Sequence, residues 1–152
     1  MLNTNQVKPF ITDLEKIAHP SGAVLHAIKA SSSGFLAFGE VYFSCINYKK
    51  VKGWKMHFHM TMNLVVPSGD VRFIIHNNTL AAGSAKIEPL LDIVIGTNNY
   101  CRLTVPPGLW VAFEGVGRNE NILMNCADIE HDPEESVTRD LAHFNVRGFN
   151  DA

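Results

Sequence analysis

Lys55, His57 and His59 stand at every second position of the stretch KGWKMHFHMTMNLVVPSG, Lys52 to Gly69. On a strand that spacing sends all three side chains to one face and leaves Met56, Phe58 and Met60 to the other. A neutral imidazole titrates near working pH and suits a general base. A lysine beside it supplies positive charge to an enolate oxygen, or becomes the base itself where apolar walls strip its water. These types together suit removal of a proton next to a carbonyl and its return to another face or carbon. His57 is the first choice for the base, His59 for its relay, and Lys55 for the charge at the enolate. Tyr42, in EVYFS, is the candidate to donate a proton or to hydrogen-bond a sugar.

A metal would need more ligands than this strand offers. His57 and His59 provide two nitrogens, but Asn63 stands about where a third, acidic ligand would follow and Val111 where a histidine would follow the Pro106-Pro107-Gly108 turn. Neither a metal nor another cofactor is therefore expected. For a substrate carrying phosphates, Lys52 and Arg72 are the candidate cations. Trp54 and Trp110 are candidates for stacking on a base or sugar face, and His76 and Asn63 for lining the same site. The acidic run EHDPEE, residues 130–135, is the pattern of a helix start, where carboxylates meet the positive end of the helix dipole.

The elements that must position these residues are mostly strands. The segments AVLHAIKA, FGEVYFSCINY, WKMHFHMTMNLVVP, DVRFIIHN, LLDIVIG, YCRLTVP, LWVAFEGV and ENILMNCADI are strand-like, divided by turns such as Pro67-Ser68-Gly69, Thr97-Asn98-Asn99 and Pro106-Pro107-Gly108. A short helix is expected at TDLEKIA, where Thr12 and Glu15 have capping-box spacing, and another in DPEESVTRDLAHF, capped by Asp132 or Ser136. Gly-containing turns set between short strands suit a double-stranded β-helix of the cupin type, a jelly roll whose lumen holds the chemistry. At 152 residues the chain makes one such domain, 1–152. Its 13 Lys and Arg against 15 Asp and Glu leave no basic field for nucleic acid or an anionic membrane. Three widely spaced cysteines in apolar runs fit reduced, buried thiols in a cytoplasmic setting. No basic-then-apolar leader opens the chain, and no run approaches the ~20 apolar residues of a membrane span.

The order GEVYFS, VKGW, MTMNLVVPSGDVRF, RLTVPPGLWVAFEG and NILMNCADIEHDPEE resembles the dTDP-4-dehydrorhamnose 3,5-epimerase family over roughly residues 38–135. The resemblance implies a cupin fold, a nucleotide-linked 4-keto sugar as substrate, metal-independent epimerisation or ketoisomerisation through an enolate, a role in polysaccharide biosynthesis, and a homodimer. It also marks departures. Lys55 stands where that family places its base histidine, Val111 where it places a second histidine, Met124 or Asn125 near its acid tyrosine, and Met62 near an active-site lysine. Of nearby residues only Asp140 offers itself as the carboxylate that pairs with the base. A similarity to the sugar-nucleotide 3,4-ketoisomerases puts the second histidine of their motif on His57. The substituted positions leave two rival readings, a cupin that binds a sugar or nucleotide sugar without turnover, and a metal-dependent cupin.

Overall fold

The computed structural model describes residues 7–77 and 88–149. Twelve strands follow in order: β1 (Phe10–Asp13), β2 (Lys16–Ile17), β3 (Val24–Leu25), β4 (Glu40–Ile46), β5 (Val51–His57), β6 (Met62–Ser68), β7 (Asp70–His76), β8 (Leu91–Gly96), β9 (Cys101–Val105), β10 (Trp110–Gly115), β11 (Asn121–Ala127) and β12 (Ser136–Thr138). They form two five-stranded sheets, β1-β9-β6-β11-β4 and β12-β5-β10-β7-β8, with β2 and β3 in a small hairpin. All strand pairings in these sheets are antiparallel.

Three expectations are corrected. The expected double-stranded β-helix is not closed: among the described residues neither sheet forms a barrel, and each ends in edge strands, β1 and β4 in one and β12 and β8 in the other. The N-terminal helix is replaced by β1 and the start of the hairpin, because Phe10–Asp13 pair with Thr104–Cys101 and the Leu14 amide bonds to Tyr100 O. A seven-residue helix must meet the cost of nucleation with few internal bonds, and the β9 ladder satisfies the same backbone groups. The C-terminal helix is replaced by two single-turn 3-10 segments, Pro133–Glu135 and Leu141–His143, on either side of β12. Asp132 does cap the first, accepting from the Glu134 amide at 2.9 Å. The chain then leaves the turn as an extended strand along β5.

The long apolar stretch WKMHFHMTMNLVVP also divides. Its first part ends β5 in one sheet, its last part is β6 in the other, and the bend between them lies at Phe58–Thr61. Of AVLHAIKA only Val24–Leu25 is strand. The strands alternate accordingly, with Leu64, Val66, Val71, Phe73, Ile75, Leu103, Val111 and Leu123 in the apolar layer between the sheets. A second cluster lies on the outer face of the β5-β10-β7 sheet, where Trp54, Met56, Ile74, Trp110 and Ala112 are covered by Phe144, Val146 and Phe149. The strands β6 and β10 are thus buried on both faces, which explains their continuous apolar runs. Cys101 and Cys126 are buried, whereas Cys45 is exposed on the outer face of edge strand β4, and all three are free thiols. No helix among the described residues is long and apolar enough to cross a membrane.

A β-bulge in β5 sets the direction of its side chains. Val111 of β10 opposes Lys55, but Phe113 opposes Lys52 rather than Gly53, so β5 carries one extra residue at Gly53–Trp54. The extra residue restores Lys52 to the face that Lys55 and His57 use, while Trp54 keeps the outer face that alternation from Lys55 gives it. Gly53 has φ +136°, and a Cβ there would stand 2.7 Å from Ala112 Cα and 2.8 Å from Val111 O. Both the conformation and the backbone contact demand glycine. Gly53→Ala should destabilise the fold by about 1–3 kcal/mol, checked by the midpoint of denaturant unfolding. A change within a few tenths of a kcal/mol would contradict this account of the bulge.

Candidate functional site

A cavity of about 270 Å³ opens between the two sheets beside β4 and β5. Its walls are apolar, from Met62, Leu64, Val111, Phe113 and Leu123, and its polar groups are Tyr42, Ser44, Lys52, Lys55, His57 and Asn125. The structure therefore brings together four of the residues expected from sequence: Tyr42, Lys52, Lys55 and His57. No carboxylate lines the cavity among the described residues.

His57 is the last residue of β5, where the strand is gripped from two sides. Its carbonyl accepts the Gly108 amide of the Pro-Pro-Gly turn at 2.8 Å, and Ser136 of β12 pairs with it across the ladder. The ring Nδ1 lies 2.7 Å from Glu135 Oε2, with both side chains 5% exposed. The other carboxylate oxygen of Glu135 accepts the amides of His59 at 2.7 Å and Met60 at 2.8 Å. Burial of Glu135 opposes its ionisation. The hydrogen bonds from His57, His59 and Met60 and the charge of His57 outweigh this and hold its pKa below the usual carboxylate value. An ionised Glu135 requires Nδ1 of His57 to carry the proton and donate it. Nε2 is then the basic nitrogen of the ring, in the arrangement by which a carboxylate orients a general base.

Across the cavity, Asn125 of β11 sits opposite Tyr42 of β4 in the ladder. Asn125 Oδ1 accepts the Asn63 amide at 3.2 Å, which turns its Nδ2 to donate to the Tyr42 hydroxyl at 3.0 Å. The Tyr42 oxygen is occupied as acceptor, so its own proton is the group it can offer. Of Met124 and Asn125, the two positions the resemblance set near a tyrosine, Asn125 is the one that lines the cavity. Lys52 Nζ donates to Cys45 O at 3.0 Å, linking β5 to β4. Lys55 is half-buried.

The other expected residues lie outside the cavity. The His59 side chain is exposed at the bend, because the strand ends at His57 and the alternation stops there. Arg72 points outward, paired with Asp92 through two bonds of 2.9 and 2.8 Å, and this pairing raises its pKa. Trp54, His76 and Trp110 belong to the outer cluster. Trp54 Nε1 donates to Leu141 O at 3.1 Å, and His76 stacks on Phe144 with ring centroids 4.3 Å apart. Burial lowers the pKa of His76, against an opposing pull from Glu88. Asn63 faces away from the cavity, donating to Gly34 O and accepting from Thr104 Oγ1, and so ties the 26–36 loop to the sheet. Asp140 caps no helix through its side chain. No group of three or more His, Cys, Asp or Glu side chains among the described residues is arranged to hold a metal ion.

Neither Glu135 nor Ser44 stands out in the sequence as a site residue, and Asn125 does so only through the family resemblance. The acidic run 130–135 marks a helix start by composition, and only the fold shows that its last member reaches 78 positions back to His57.

No protein-family model matches the chain, and no curated protein matches it in sequence. Solved structures do. The chain is 29% identical to a dTDP sugar isomerase from Desulfovibrio desulfuricans, over 89% of this chain and 85% of that one, with a TM-score of 0.80. It has the fold of the dTDP-sugar epimerases and isomerases. A sugar 3,4-ketoisomerase from Thermoanaerobacterium thermosaccharolyticum, solved in complex with TDP, superposes with a TM-score of 0.71 at 14% identity, over 100% of this chain and 96% of that one. A dTDP-4-dehydrorhamnose 3,5-epimerase from Sulfolobus tokodaii gives 0.74 at 13% identity, over 91% and 81%.

Glu135→Gln tests the carboxylate. Because the folded pKa of Glu135 lies below its unfolded value, its contribution is fully present above the unfolded pKa, about 4.3, and is lost as pH falls through the folded pKa. The variant should lose about 1–3 kcal/mol at pH 7, and its deficit should shrink in acid. Unfolding curves at several pH values check this; a deficit independent of pH would mean that the charge contributes nothing.

Proposed function

We propose that the cavity binds a nucleotide-linked 4-keto sugar and moves a proton on a carbon next to its ketone, epimerising or isomerising the sugar through an enolate. The observation that carries this reading is the buried His57–Glu135 pair, set at an apolar cavity that also holds a tyrosine hydroxyl and two lysines. The fold shared with dTDP-sugar isomerases and epimerases supports the same substrate class.

In this mechanism His57 Nε2 takes the proton, and the imidazolium that forms is stabilised by Glu135 across the 2.7 Å bond. Negative charge grows on the carbonyl oxygen, where the Tyr42 hydroxyl and the Lys55 amine are the available donors. The apolar walls keep water from competing for them and strengthen each interaction. Proton return from Tyr42 to the face opposite His57 inverts the carbon, and return to a neighbouring carbon isomerises the sugar. Lys52, on the same face of β5, is the cation for the diphosphate. Arg72, turned outward to Asp92, and His59, exposed at the bend, have no part in it.

Incubation with dTDP-4-keto-6-deoxyglucose in heavy water should give protein-dependent deuterium uptake beside the carbonyl, read by mass spectrometry. His57→Asn should lower the rate by about 10²- to 10⁴-fold while dTDP binding persists in calorimetry. Binding without uptake by the native protein would replace the enzyme by a sugar-nucleotide-binding protein.

We also propose a homodimer formed along β4. Among the described residues this strand is the edge of its sheet, and Val41 and Phe43 on its outer face, with Leu36 and Phe38 before it, are exposed. Such an edge is a template for pairing with a second copy. Light scattering should give twice the 16.8 kDa chain mass. Phe43→Lys should shift the protein to monomer, and a native protein that is monomeric at micromolar concentration would refute the pairing.

A further inference from the structure

We propose that Lys55 acts covalently, condensing with the ketone of the sugar so that the proton leaves from an iminium rather than from the free ketone. The inference rests on the keto-sugar reading above and assigns the electron sink within it. Three observations carry it. Lys55 and His57 are two residues apart on one strand, so their Cα atoms are about 7 Å apart and their side chains leave the same face. An amine bonded to the carbonyl carbon and a base acting on the adjacent carbon need this convergence. Secondly, the two lysines differ in commitment. Lys52 Nζ is held by Cys45 O at 3.0 Å, whereas the Lys55 amine makes no hydrogen bond or ion pair with any described residue. Thirdly, among the described residues no carboxylate lines the cavity, and Lys55 stands directly across the ladder from Val111 in a wall continued by Phe113. The one buried carboxylate nearby, Glu135, is fully occupied by His57 and two amides. Among the described residues the amine therefore lines the cavity with no acidic partner.

The step balances without any reagent beyond water. The Nζ lone pair attacks the carbonyl carbon, the resulting carbinolamine loses water, and an iminium forms. His57 Nε2 removes the adjacent C–H proton, and that bonding pair becomes the C=C bond of an enamine as the iminium π pair moves onto nitrogen. Reprotonation of carbon restores the iminium. Water then adds and the amine departs, returning the ketone.

The test is reductive trapping. Native protein, dTDP-4-keto-6-deoxyglucose and sodium cyanoborohydride are combined near neutral pH and followed by intact mass and peptide mapping. The expected result is one stable adduct of the reduced sugar nucleotide, mapping to Lys55. Lys55→Arg keeps a positive charge but cannot condense; it should abolish the adduct and lower deuterium uptake at least about 100-fold, with dTDP binding and thermal unfolding retained to show that it folds. Deuterium uptake by the native protein without an adduct would overturn the iminium and leave the enolate reading standing. An adduct on Lys52, or undiminished uptake by Lys55→Arg, would overturn it equally. Neither uptake nor adduct, with dTDP still bound, would overturn both readings together.

Discussion

The Glu135 carboxylate holds together the place where the chain leaves one sheet for the other. At Phe58–Thr61 the backbone turns from β5 into β6, and such a bend strips amides of their ladder partners. Glu135 accepts two of those amides with one oxygen and the His57 ring with the other. The same residue ends the 3-10 turn that leads into β12, which pairs along β5 and puts Ser136 opposite His57. A buried carboxylate would be costly if unpaired, and three donors make this one stable as an anion. Thus the group that closes the bend also orients the imidazole, and the fold and the site share one interaction.

The cavity follows from how the two sheets separate at β4 and β5. Elsewhere between the sheets, large aliphatic and aromatic side chains interdigitate around Phe73, Ile75, Leu103 and Val105. Toward β4 the facing residues change to Tyr42, Ser44 and Asn125, and those on β5 to Lys52, Lys55 and His57. These polar groups require room or partners, and Asn125 shows the economy of the solution. Its oxygen holds a backbone amide of β6 while its nitrogen holds the Tyr42 hydroxyl. Among the described residues the two lysines line a cavity to which no carboxylate contributes.

Behind this wall, the outer cluster fixes β5 from the opposite side. Trp54 is held by Leu141 O and by edge contact with Phe144 at 4.7 Å, and its backbone exchanges hydrogen bonds with Arg139. Trp54 faces this cluster by alternation from Lys55, and the bulge at Gly53–Trp54 returns Lys52 to the cavity side. Residues 141–149 therefore back the strand that carries the candidate base, although none of them lines the cavity.

Alternation and turn residues determined most of the strands by themselves, because a strand with one face buried must alternate and a tight turn must carry glycine, proline or asparagine. They also determined that Lys55 and His57 share a face, and that Tyr42 lies on a strand. Periodicity could not place the end of β5, so His59 was counted with its neighbours although the bend exposes it. Nor could it tell which face of a strand meets which layer: Trp54, His76 and Trp110 are as polar-tipped as site residues, yet they pack under the C-terminal segment. The two expected helices failed for a related reason, since Thr12 with Glu15 and the acidic run 130–135 carry local helix signals that pairing with β9 and β5 outweighs. Only tertiary structure decided that Glu135 meets His57, that Asn125 meets Tyr42, and that Lys52 turns inward through a bulge. Each of these depends on register between segments far apart in the chain, and register is set by the packing of whole sheets rather than by any local pattern.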